Sequence, residues 1–148
     1  MILPVVLALA LAKPGLARTW VSAVSLSDSM LALTPDGTFT ATFRPKGKPV
    51  VVVRGSYAVG PIPSASRRGN LKNAQTILFI YDLASLKRLG TPQAQIDDLR
   101  RQGKPGQLGM KLYYVPEFPL LSDLARFHFV DAKDRTAASK RLRKWKPF

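Results

Sequence analysis

Side chains able to move protons, attack carbonyls or hold metals are scarce in this sequence. Its 148 residues include no cysteine, one histidine and nine acidic residues. No thiolate, disulfide or cysteine-ligated metal can form. The histidine, His128, has Asp131 and Asp134 near it in sequence. A metal site needs several ligands converging, so none is expected. The single histidine also argues against a Ser-His-Asp triad, and no serine stands in a Gly-x-Ser-x-Gly turn. Asp97 and Asp98 are the adjacent acid pair. Neighbours on a helix point about 100° apart, so these two do not converge as paired catalytic carboxylates would. Walker-type phosphate loops are absent. The chain reads as a non-enzyme with no catalytic residues, no metal and no cofactor.

Basic residues are the unusual quantity. Lys plus Arg number 23, giving a net charge of +14. Such a field attracts polyanions and anionic surfaces. The cations cluster at Arg67 and Arg68, at Lys87-Arg88, and at Lys140, Arg141, Arg143 and Lys144, with Trp145 among the last group. Arg67, Arg68, Lys140, Arg141, Arg143 and Lys144 are the candidate anion-binding residues. Cations interleaved with an aromatic suit single-stranded nucleic acid, through charge and stacking. They equally suit an anionic lipid surface with the indole at the interface. The plain alternative is a solvated tail.

Hydrophobic patterning supplies the elements that position these groups. Ile2 to Ala12 is an apolar run broken by Pro4. It is too short to span a bilayer, and its length suits a secretory signal with cleavage after Ala17. Beyond Thr19 the punctuation suits β-structure. Thr19–Leu26 and Met30–Leu33 are short β-prone runs, and Thr34-Pro35-Asp36-Gly37 is a hairpin turn. Thr38–Phe43 alternates strictly, with Phe39, Ala41 and Phe43 on one side. Val50–Val59 continues as strand through Gly55, and residues 60–72 form a loop. Thr76–Leu83, Gly109–Val115 and Leu124–Val130 read as further strands. Thr91-Pro92 opens one short helix, roughly 91–102, which Gly103 ends. The fold class is therefore mainly β, an antiparallel up-and-down barrel or half-barrel of about seven strands.

Trp20 at the start of the first strand, Asp36-Gly37-Thr38-Phe39 in the second hairpin and Gly55-Ser56-Tyr57 in the next strand resemble the pattern of small bacterial lipocalin-like β-barrel domains. The likeness covers about residues 18–60. Ala17 stands where that family carries the glycine of its Gly-x-Trp. The resemblance implies an up-and-down barrel with a ligand-sized interior, and no particular ligand.

The expected organisation is a signal peptide over 1–17, a barrel domain over 18–132 and a basic, flexible tail over 133–148. The leading functional expectation is an exported lipocalin-like binding protein, periplasmic or secreted, for a small apolar ligand or an anionic envelope component such as lipid or a polyanion. Its pocket would be lined by Phe39, Phe43, Tyr57, Phe79 and Tyr113. The alternatives are an envelope interaction protein acting through its basic surface and tail, and a cytoplasmic nucleic-acid-binding barrel. Intact mass separates them. Export predicts a chain beginning at Arg18 outside the cytoplasm, and a full-length mass in the cytoplasm would sink export.

Overall fold

The computed structural model describes residues 15–23, 29–44, 47, 49–62, 64, 69–102, 109–125 and 127–145. Among them, eight antiparallel strands close into a barrel in chain order. They are β1 (Thr19–Ser22), β2 (Met30–Leu33), β3 (Thr38–Phe43), β4 (Val51–Pro61), β5 (Gln75–Tyr81), β6 (Gly109–Val115), β7 (Leu120–Ser122) and β8 (His128–Asp131). Helices α1 (Leu83–Arg88) and α2 (Gln93–Arg101) sit between β5 and β6, and α3 (Arg135–Leu142) follows β8.

Strand alternation builds the interior. Leu31 and Leu33 of β2, Phe39 and Ala41 of β3, Val53 and Tyr57 of β4, and Ile77 and Phe79 of β5 share one buried cluster. The residues between them face outward, as a period of two requires. The hairpin at Asp36 is locked by its own side chains. The Asp36 carboxylate accepts from the Thr38 hydroxyl at 2.9 Å and from the Thr38 amide at 3.2 Å. Gly37 takes a positive φ of 88°, which a residue with a Cβ adopts at a cost. Tyr57 then ties this turn to β4, its hydroxyl donating to the Thr34 carbonyl at 2.5 Å.

Closure depends on the seam between β1 and β8, where Trp20 pairs with Asp131. Arg18 donates to the Asp131 carboxylate at 2.6 Å, and its guanidinium lies 5.2 Å from the centre of the Trp20 ring. The Trp20 indole, fully buried, meets Tyr114 edge-on and donates to the Leu16 carbonyl at 3.1 Å. Leu16 is only 1% exposed and belongs to the same interior cluster. Leu16 and the start of β1 thus form the floor of the barrel. Leu16 lies on the leader side of the expected cut after Ala17, so such a cut would remove part of that floor.

Two glycines let neighbouring strands meet. A Cβ on Gly55 would come 1.9 Å from the Ile80 carbonyl oxygen, and one on Gly109 would come 1.6 Å from that of Phe79. Backbone cannot yield as a flexible side chain can. Gly55 therefore joins two halves of one continuous strand, β4.

The expected mainly β antiparallel barrel with a short helix near 91–102 is present, and four details differ. The barrel is fully closed by an eighth strand, β7, in a stretch read as a break between Pro116 and a final strand. That final strand begins at His128, not Leu124, because Leu124 takes a φ of 66°. The helix expected near 91–102 is present as α2, joined by α1, whose N-cap Asp82 accepts from the Ser85 amide. The tail is not loose. Residues 135–142 are helical, and Ala138 and Trp145 are buried against Val115, Leu120 and Val130 on the outside of the barrel. That apolar contact consists of a small residue and one indole, which leaves little sequence periodicity to read.

Leu16→Ala is expected to lower stability by roughly 2–5 kcal/mol in urea unfolding, as for other buried leucines. Gly55→Val should destabilise still more, because the added atoms meet backbone. An unchanged unfolding midpoint for Leu16→Ala would show that the floor does not depend on this residue.

Candidate functional site

The strands define two ends. The floor end carries Leu16, Trp20, the Asp36 hairpin and the β6–β7 turn. The opposite end carries the end of β1, the start of β2, the β3–β4 connection, the starts of β6 and β8 and the β7–β8 turn. At the floor end the interior is filled. Phe39 and Phe79 stack edge to face at 5.0 Å between centroids, and Tyr57 lies 6.2 Å from Phe79. These three expected pocket residues are buried core, and Phe39 also borders an open groove of about 510 Å³ with Thr38, Thr40, Arg54 and Tyr81. Burial pushes the Tyr57 hydroxyl above its ordinary range, which keeps it a donor to Thr34.

At the other end the packing opens. A cavity of about 320 Å³ is lined by Phe43, Met110, Lys111, Leu112, Asp123, Phe127 and Phe129. Its origin is a mismatch in pairing. β5 pairs with Gly109–Tyr114 of β6, whereas β7 pairs only with Tyr113–Val115. Among the described residues, Gly109–Leu112 therefore has a ladder on one side only. β7 stops at Ser122 because the chain turns sharply there. The Asp123 carboxylate accepts the Ala125 and Phe127 amides, each at 2.9 Å, and the Asp123 amide donates to the Phe127 carbonyl. The gap between this turn and β6 is the cavity, and Phe127, 63% exposed, stands at its edge.

Of the expected pocket set, Phe43 lines this cavity. Tyr113 does not face the interior. Leu112 and Tyr114 point inward, while Tyr113 packs with the outer cluster and lies under Lys111, whose ammonium is 5.4 Å from its ring centre. A shift of one residue in a strand exchanges its faces. Met110, Leu112, Phe127 and Phe129 were missed as pocket residues. The alternation of Phe127 and Phe129 was legible, but their relation to β6 was not.

The cations divide similarly. Arg67 and Arg68 lie outside the described residues. Arg141 is structural: it pairs with Asp134 at 2.9 Å and donates to the Phe118 carbonyl at 3.0 Å. Lys144 is exposed in the turn after α3. Lys140 and Arg143 line a second groove, about 430 Å³, with Ala23, Arg135, Thr136 and Ser139. Residues 135, 139 and 143 recur every four along α3, with 136 and 140 beside them, so one helical face carries the whole set. Among the described residues, Arg135, Lys140 and Arg143 have no carboxylate partner within salt-bridge distance.

His128 faces outward but is not on a solvated surface. Its Nδ1 lies 2.8 Å from the Ser122 hydroxyl and its ring packs edge-on to Trp145. Ser122 is fully buried and already accepts the Leu124 amide at 2.8 Å. This pair is a packed anchor with no room for a substrate at the serine. Burial holds the imidazole below its ordinary value of 6.5, with Asp123 opposing that shift.

No family model, curated protein or solved structure matches this chain.

The lowered His128 value has a pH consequence. The unfolded chain takes up the proton more readily than the folded one, so stability rises with pH in this range. Stability is full above about pH 6.5 and is lost as pH falls from there through the folded value. Urea midpoints should drop between pH 7.5 and 5.5, and His128→Gln should flatten that slope. An unaltered slope in the variant would assign the dependence to other groups.

Proposed function

We propose that this protein is a non-enzymatic, lipocalin-like barrel that binds a small apolar ligand in the cavity beside β6. The cavity carries the reading: Phe43, Met110, Leu112, Phe127 and Phe129 supply its apolar lining. Its volume falls at the low end of the ~300–1,000 Å³ usual for small-molecule sites, which are mostly apolar with few polar groups. An eight-stranded barrel is wide enough either to be filled by side chains or to hold one small ligand. Here the floor half does the first and the open half has room for the second. Asp123 and Lys111 are the charged residues at this wall, and Asp123 spends its carboxylate on the β7–β8 turn. The reading is therefore one of binding and not of catalysis.

Export, to the periplasm or beyond, is part of this proposal and rests on the apolar run at residues 2–12. The buried position of Leu16 favours a cut upstream of Ala17. The intact mass of the exported chain would place the cut.

The test is titration with the neutral fluorophore N-phenyl-1-naphthylamine, whose emission rises in apolar surroundings. Saturable binding is expected. Phe43→Glu should abolish it, and Phe127→Ala should weaken it about tenfold, the effect of losing part of one aromatic contact. No saturable signal in the parent protein, or equal affinity in Phe43→Glu, would overturn the proposal.

A further inference from the structure

The described residues include four large apolar side chains that are exposed: Met30 at 40%, Val50 at 48%, Leu89 at 44% and Phe127 at 63%. All four lie at the open end. Met30 begins β2, Val50 immediately precedes β4, and Phe127 immediately precedes β8. Leu89 reaches the same end by way of α1. That helix runs beside the first half of β4, where Ser85 accepts from the Arg54 amide and Arg88 donates to the Val52 carbonyl. Leu89 follows Arg88 and so continues toward the start of β4. Isolated exposed apolar residues need no explanation, but their collection at the end of the barrel that holds an apolar cavity does.

Positive charge flanks this rim. Arg44 leaves β3 there and is exposed, and Lys87 and Arg88 directly precede Leu89. The groove of Arg135, Lys140 and Arg143 borders Ala23, the residue that leaves β1 at the open end. Acidic groups nearby are partly engaged. Asp98 is 3.5 Å from Arg101, and Asp123 is bonded to backbone. Asp97 and Asp98 project from α2, and Asp82 caps α1.

We infer that the open end docks on a bilayer surface rich in anionic lipids, with the apolar rim entering the interface and the cations meeting headgroups. Charge complementarity selects this occupant. A chain of +14 is drawn to a negative surface, and each Lys or Arg near such a surface adds attraction that decays within a Debye length. The apolar side chains then add contact that a soluble polyanion would not use. The inference deepens the binding proposal by naming the source of an apolar ligand, and it rests on that proposal only for the cargo. The cavity mouth would face the membrane in which such a ligand dissolves.

The test is co-sedimentation of the whole protein with vesicles of phosphatidylcholine alone and of phosphatidylcholine mixed with phosphatidylglycerol. Binding is expected to the mixed vesicles and to be much weaker to the neutral ones. The triple variant Met30→Ser/Val50→Ser/Leu89→Ser should weaken it by about a hundredfold, the combined effect of three partly inserted side chains. Lys140→Glu/Arg143→Glu should weaken it about tenfold at low salt and much less at high salt. All five positions lie on the surface, and circular dichroism checks that both variants fold. The triple variant spares the cavity lining and should still bind N-phenyl-1-naphthylamine. Phe43→Glu should lose that probe and still sediment with vesicles. The two proposals can therefore fail separately. Docking is overturned by equal vesicle binding in the triple variant or by equal binding to both lipid mixtures. It is also overturned if the parent ignores vesicles and instead binds a single-stranded oligonucleotide, or instead forms a dimer that the triple variant abolishes.

Discussion

Closure at the β1–β8 seam is the constraint on which the remaining structure depends. A barrel has no free edge only if its first and last strands pair, and here both are four residues long. So short a ladder needs support from side chains. Trp20 provides it from within, filling the floor and bonding back to Leu16. Arg18 and Asp131 provide it at the end of the seam, in a charge-assisted contact that is only partly exposed. On the outside, Val21 and Val130 meet the layer that α3 covers. The floor, the seam and the C-terminal helix are thus one packed unit, and the basic segment after β8 is held to it through Ala138 and Trp145.

A fixed floor accounts for the asymmetry of the interior. Trp20 meets Tyr114, and Phe39, Tyr57 and Phe79 meet one another, all within one buried cluster. Toward the other end, β4 runs past the end of β5, α1 takes the place alongside it, and β6 outruns β7. Each mismatch removes a stretch of ladder, and the apolar faces there stay only partly covered. Phe43 and Met110 are half-buried for this reason, and Phe127 is exposed. The cavity and the apolar rim are two results of the same uneven strand lengths.

Charge acts on a different scale from packing. Arg18 and Arg141 serve the fold directly, through short contacts with Asp131 and Asp134. Among the described residues most other cations are exposed, and they add to the long-range field of a chain with 23 basic and 9 acidic residues. On α3 the division follows the helix itself. Ala138 and Leu142 turn toward the barrel, while Arg135, Ser139 and Arg143 line the adjoining groove beside Ala23.

Local signals in the sequence determined much of this architecture. Strict alternation in Thr38–Phe43 set both the strand and its buried face. Asp36-Gly37 set the hairpin, the β-branched run after Pro49 set β4, and Pro92 set the start of α2. These features arise from neighbours in the chain, so they can be read there. Tertiary structure alone decided the rest. β7 is a three-residue strand that exists only because β6 and β8 flank it. Tyr113 and Tyr114 are adjacent aromatics, and only the register with β5 chose Tyr114 for the interior. The basic segment became a packed helix because Val115, Leu120 and Val130 left an apolar strip on the outer wall. The cavity lies where strands distant in sequence fail to match in length, a property of pairing that no local pattern carries.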